Sequence, residues 1–207
     1  VSGTILPDSK ELILPFKAVN LNAVDIRVIR IYEENVLTFL QDNDLSGSNS
    51  LRRCGRLVYK RCVRLDSDPS KNLHKWQDYS VDLSGLFKQE PGAIYRIRLS
   101  FKQEYSLYGK RDSFKSGTPT DKMVNISSEG ITEEDDEEWD KPYPDYYDSF
   151  YDWENYTWKD RDNPLKPTYY MDDERFPAIN LLTSNLGVIA KYSGGDRIWV
   201  SVSDILS

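Results

Sequence analysis

An all-β sandwich is the fold class that this sequence predicts, on three observations. Apolar and polar residues alternate in many short runs. Gly, Pro and Asp turn signals separate those runs, and almost no stretch carries a helical period. The clearest run is Ala93–Lys102 (AIYRIRLSFK), in which Tyr95, Ile97, Leu99 and Phe101 point one way and Arg96, Arg98, Ser100 and Lys102 the other.

In chain order, Glu11–Asn20 reads as a strand interrupted by Pro15. Proline has no N–H for a ladder, so an edge position or a bulge is expected there. Ala23–Tyr32 (AVDIRVIRIY) sets Ile26 and Val28 against Asp25, Arg27 and Arg30, the period of a half-solvated strand. Glu33–Gln41 changes period: Asn35 can cap a short helix with Val36, Phe39 and Leu40 on one side. Leu45–Ser50 is a polar loop, and Leu51–Leu65 is one long strand or two. A turn around Asp68-Pro69-Ser70 precedes a strand at Trp76–Leu83, and Pro91-Gly92 marks the next tight turn. After Lys102 some seventy residues show little regular pattern, with prolines at 119, 142, 144, 164 and 167. β structure resumes at Ala178–Tyr192. Ser193-Gly194-Gly195-Asp196 forms a turn, and Arg197–Ser203 alternates Ile198, Val200 and Val202.

The 207 residues suffice for one large or two small domains. The net charge of −7 is local, because residues 129–154 hold twelve acids and one base while the rest carries 22 acids and 26 bases. No run approaches the roughly 18 apolar residues of a membrane span. Val1-Ser2-Gly3 is not a signal peptide, so any targeting segment is expected to have been trimmed. The ending just after a strand-like run suggests a fragment of a longer protein.

The residues of enzyme chemistry are sparse. His74 sits alone in a turn, and no phosphate loop, HExxH pair, GxSxG elbow or metal-like Cys/His spacing is present. Acids in a run are ordinarily solvated, whereas acid/base catalysis needs two acids in different fixed environments. No catalytic residue, cofactor site or metal site is therefore assigned. Cys54 and Cys62, if on one strand, stand about 26 Å apart at ~3.3 Å per residue and cannot bridge. Both are expected to be small, partly buried side chains. Arg52, Arg56, Lys60 and Arg64 fall on one face of an extended strand, but the acidic segment opposes nucleic-acid binding. The stripe is read as a solvated face or as a surface that meets that segment.

The acidic and aromatic stretch Glu129–Phe176 has three readings. Twelve aromatics within Trp139–Phe176 are too many for a freely disordered tail, so the first has them folding back onto the sandwich with the acids in water. The second is an interface with a neighbouring domain, for which Trp139, Tyr143, Tyr147, Trp153 and Trp158 are the candidates. The third is a ligand site: rings stacking on sugars, or Asp160, Asp162 and Asn163 around calcium. Packing is favoured. Sequons at Asn125 and Asn155 matter only in a secretory host that uses them.

Three stretches carry a family resemblance. Leu14–Leu40 (LPFKAVNLNAVDIRVIRIYEENVLTFL) resembles the entry to a macroglobulin-like domain of bacterial alpha-2-macroglobulins. Asn180–Ile205 (NLLTSNLGVIAKYSGGDRIWVSVSDI) resembles the junction at which one such domain passes into the next, and Glu90–Leu99 (EPGAIYRIRL) the strand before it. The tyrosine-rich YDWENYTWKDRDNPLKPTYY also looks like versions in Bacteroidetes. The likeness covers most of residues 11–105 and 178–206.

The resemblance implies a fibronectin/immunoglobulin-like, seven-stranded antiparallel sandwich, the macroglobulin-like domain. It would span residues 1–192, with residues 103–176 inserted before its last strand, Ala178–Tyr192. Residues 193–207 would begin the next domain. It further implies a non-catalytic structural module of a secreted or membrane-anchored protease-trapping protein, an endopeptidase inhibitor of the cell envelope or exterior of a Gram-negative bacterium. Its partners would be neighbouring macroglobulin-like domains of the same chain and, through the whole protein, proteases; nucleic acid is not among them, and a membrane only through an anchor elsewhere. The chain contains neither a Cys-x-Glu-Gln thioester motif nor a recognisable bait region. The rival reading is a carbohydrate-binding β-sandwich with coplanar aromatic rings on the insertion.

Overall fold

A computed structural model describes residues 5–6, 13–84, 90–108, 139, 156–172 and 175–204. Nine strands appear among them: β1 (Ile5–Leu6), β2 (Ile13–Ala18), β3 (Ala23–Ile31), β4 (Gly55–Arg64), β5 (Gln77–Asp82), β6 (Ile94–Ser100), β7 (Ala178–Thr183), β8 (Leu186–Tyr192) and β9 (Ile198–Asp204). The helices are short, α1 at Val36–Asp42 and α2 at Leu51–Cys54.

Strands β1 to β7 make two packed sheets. One has the order β1-β7-β6-β3-β4 and the other pairs β2 with β5. All pairings are antiparallel except the short parallel contact of β1 with β7. Ile26, Val28, Tyr95, Ile97 and Leu181 of the larger sheet close on Val81 and Leu83, with Leu14 and Phe16 of β2 packed against them. This is an all-β, immunoglobulin-like antiparallel sandwich of seven strands. Pro15 is exposed on β2, which pairs with β5 alone, so its missing N–H breaks no central ladder.

The opposite face of the larger sheet has its own apolar patch. Ile29, Ile31, Leu57 and Ile94 meet Phe39 of α1 and Leu51 and Cys54 of α2. The loop between the helices is held down by Asn180, which is 3% exposed. Its Nδ2 donates to the Gly47 carbonyl at 2.8 Å while its Oδ1 accepts from Arg96 at 2.8 Å.

Three local readings need correction. The stretch 51–65 begins as helix, because Leu51 and Cys54, three apart, both turn into the patch under Phe39. Asn35 occupies the start of α1 without capping it, since its Nδ2 donates to the Cys54 carbonyl at 3.0 Å instead. The basic residues of β4 do not share one face either. A bulge shifts the register between Val28 and Ile29, so that Arg56 pairs with Arg30 on one face and Lys60 and Arg64 pair with Arg27 and Ala23 on the other.

The run 178–192 is two strands rather than one. It breaks at Ser184, whose Oγ accepts from the Leu186 amide at 3.0 Å. β7 completes the sandwich, while β8 pairs with β9 alone.

Candidate functional site

The insertion leaves the sandwich through a stapled root. Just past β6, the Leu107 amide donates to the Asn20 carbonyl and the Asn22 amide to the Tyr105 carbonyl, both at 2.9 Å. The Tyr105 side chain turns inward, is 1% exposed, and donates its hydroxyl to Asp25 Oδ1 at 2.9 Å. Lys102 Nζ stands 3.8 Å from the other Asp25 oxygen, and Cys62 lies opposite Asp25 across the strands. Burial, then the Asp25 charge, pushes the Cys62 thiol up to about 11 and the Tyr105 phenol well above its usual range. Both groups are held protonated at neutral pH, the opposite of an activated nucleophile.

The returning limb, residues 156–176, packs against the far end of β6. Phe101 meets Phe176 and Tyr170 edge-on at 5.1 and 5.9 Å, and Tyr170 donates its hydroxyl to the Pro164 carbonyl at 2.6 Å. Arg175 binds Asp162 at 2.7 Å, stacks over Tyr169 at 4.3 Å and approaches Asp172 at 3.4 Å. The Arg175 and Arg161 hydrogen bonds hold the Asp162 carboxyl below the usual carboxylate range. Asn163 Oδ1 accepts from the Leu165 amide at 3.0 Å. Asp162 and Asn163 are thus spent on the limb's own structure. Among the described residues no three His, Cys, Asp or Glu side chains converge as a metal site would require.

The five interface candidates separate. Trp139 packs against the patch of Ile29, Leu51 and Leu57, and its Nε1 donates to the Gly55 carbonyl at 3.1 Å. The Arg52 guanidinium lies 5.7 Å over its ring. Trp158 is 65% exposed, with Tyr156 edge-on at 5.6 Å and Arg161 over its face at 5.2 Å. Tyr143, Tyr147 and Trp153 lie outside the described residues, as do Asn125 and Asn155. His74 is exposed, its Nδ1 2.9 Å from Asn20 Oδ1.

A feature that the separate strand patterns did not reveal is the sidedness of the β8–β9 hairpin. The register pairs Val188 with Val202, Ala190 with Val200, and Tyr192 with Ile198, and Leu186 shares their face. The reverse face mixes Gly187, Ser201, Ser203 and Lys191 with Ile189 and Trp199. Every residue of both strands is exposed except Gly187, which is half-buried. One face therefore reads as half of a core. No helix among the described residues is long and apolar enough to cross a membrane.

Comparison with known proteins adds the family. A solved structure, native alpha-2-macroglobulin from Escherichia coli spanning domains MG0-NIE-MG1, is similar over 100% of this chain and 44% of its own. The identity is 17% and the TM-score 0.48, and this chain spans less than half of that structure's length. None of the curated proteins matches. Residues 1–106 match the bacterial alpha-2 macroglobulin MG2 domain, just over half of the chain, and the protein belongs to that family.

Proposed function

We propose that this chain is a non-catalytic scaffold module of a secreted or envelope-anchored alpha-2-macroglobulin-like protein that traps proteases, and that it hands its chain directly to a following domain. The observation that carries the scaffold role is the β8–β9 hairpin. An isolated two-stranded hairpin is at best marginally stable in water, and this one exposes an apolar face that runs from Val188 and Val202 to Tyr192 and Ile198, with Asp204 opposite Leu186 at its other end. A neighbouring domain of the same chain would cover that face. The domain division then falls at Ser184-Asn185, with β8 and β9 both belonging to the next unit, rather than at Tyr192. The protonated thiol and phenol of the Cys62–Tyr105 pair favour a structural role over a catalytic one.

The carbohydrate reading calls for exposed coplanar rings. Trp158 and Tyr156 stand at 83° to each other, and Arg161 lies over the Trp158 face. That pair offers no flat platform.

Hydrogen exchange tests the scaffold role. In residues 1–207 the amides of β8 and β9 are expected to exchange within seconds. In the same chain extended through the following segment of its gene product they are expected to gain protection of at least a hundredfold. Equal exchange in the two proteins, or a gene product that stops at Ser207, overturns the handover. Protease trapping is tested separately on the full-length protein, as loss of an endopeptidase's activity on a protein substrate at near-stoichiometric ratio.

A further inference from the structure

β3 and β4 pair side by side, yet the chain between them is long. Ile31 and Gly55 are partners at the base of that connection, and residues 32–54 fold back from it over the outer face of the larger sheet. Phe39 of α1 and Leu51 and Cys54 of α2 lie there on Ile29, Ile31 and Ile94. The polar groups of this flap bond across the flap itself. Asn35 Nδ2 donates to the Cys54 carbonyl at 3.0 Å, joining its two ends. Asn43 Nδ2 donates to the Phe39 and Asn49 carbonyls at 2.9 and 3.1 Å, and Asn43 Oδ1 accepts from the Asn49 amide at 2.7 Å. The sheet grips the loop through a clamp: Asn180 and Arg96 both donate to the Gly47 carbonyl, at 2.8 and 3.4 Å.

Two features make the flap separable. The sandwich closes on the other face of the sheet, where Ile26, Val28 and Ile97 meet Val81 and Leu83, so that core does not include the flap. Helices of seven and four residues are marginal at best in water on their own, so a flap that lifts also melts. A segment bonded within itself and hinged at a paired base is the kind that opens cooperatively, below the free energy of global unfolding. Trp139 is held by the same element. Its Nε1 donates to the Gly55 carbonyl at the hinge, and Arg52 of α2 lies over its ring. We propose that residues 32–54 are a latch, opening as one unit while the sandwich stays folded and releasing Trp139 as they open. Coupling of this kind is reciprocal, so whatever draws Trp139 from its seat loosens the flap in turn.

Native-state hydrogen exchange on the intact chain of 207 residues tests the latch. The amides of α1, Asn49 and Arg53 and the Trp139 indole N–H are expected to share one protection factor. It should lie at least tenfold below that of the best-protected β3 and β6 amides and depend less steeply on denaturant. Two variants separate local from global opening. The Asn180 clamp is absent from the open and the unfolded states alike, so Asn180→Ala should speed the flap about tenfold and the β3 and β6 amides at least as much. An inner-core contact survives the opening, so Val81→Ala should speed β3 and β6 about tenfold and leave the flap and the indole unchanged. Flap amides that follow Val81→Ala exchange through global unfolding and overturn the proposal. So does a flap indifferent to Asn180→Ala, or an indole N–H with a protection factor of its own. Should either variant fail to fold, the unsubstituted chain decides: a flap with the sandwich's denaturant slope has no opening of its own.

Discussion

Beside the core, Tyr105 donates its hydroxyl to one Asp25 oxygen and Lys102 stands near the other. Removing the phenol hydroxyl leaves a largely buried carboxylate short of a donor, a loss of about 1–3 kcal/mol. Tyr105→Phe is therefore expected to lower the urea midpoint with an unchanged slope; an unaltered midpoint would mean that water replaces the hydroxyl at no cost. Cys62, across the strands from Asp25, supplies a pH signature. Its folded pKa of about 11 lies above the ordinary thiol value near ~8.5, so the protonated form is favoured by folding. That contribution is complete below the unfolded value and is lost as pH rises through about 11. Iodoacetamide at pH 8 should label Cys62 on the order of a hundredfold more slowly than a free thiol, and the rate should climb steeply toward pH 11. Labelling at the free-thiol rate would show that the buried pair does not form. Neither residue was marked by pattern: their meeting depends on which residues of β3 and β4 stand opposite, and the Val28/Ile29 bulge sets that register.

At the level of elements, what could be read in advance follows from solvent. β3 and β6 each have stretches where apolar and charged residues alternate, and that alternation fixed their extent to within a residue or two. α2 was hidden because four residues are too few for a period, although the Leu51–Cys54 spacing of three was its signal. The break at Ser184 was hidden by apolar residues on both sides of it. The start of β4 is closely constrained, for a Cβ on Gly55 would stand 2.4 Å from the Arg30 carbonyl oxygen. Gly55→Ala should force β4 away from β3 and loosen the Trp139 contact, costing about 1–3 kcal/mol. Thermal denaturation followed by tryptophan fluorescence checks both effects at once. A neutral result would mean that the strand end yields freely.

For the molecule as a whole, the question is which surface belongs inside a larger protein. The seven-stranded sandwich closes its own core, and the returning limb of the insertion is tied down by Phe101, Tyr170 and Arg175. The hairpin is different, because its apolar face has no counterpart among the described residues. Substitution on its two faces separates a buried surface from an exposed one. Val188→Thr and Val202→Thr change cross-strand partners on the apolar face, while Ile189→Thr changes the mixed face. In residues 1–207 all three should leave the unfolding midpoint within experimental error, since each position is already exposed. In the protein carrying its following domain, the two valine substitutions should each cost about 1–2 kcal/mol through a buried hydroxyl, and the isoleucine substitution much less. Equal costs on the two faces would mean that the next domain buries the hairpin from both sides. No cost on either face would mean that the hairpin stands free of it, and the scaffold reading would lose the contact on which it depends.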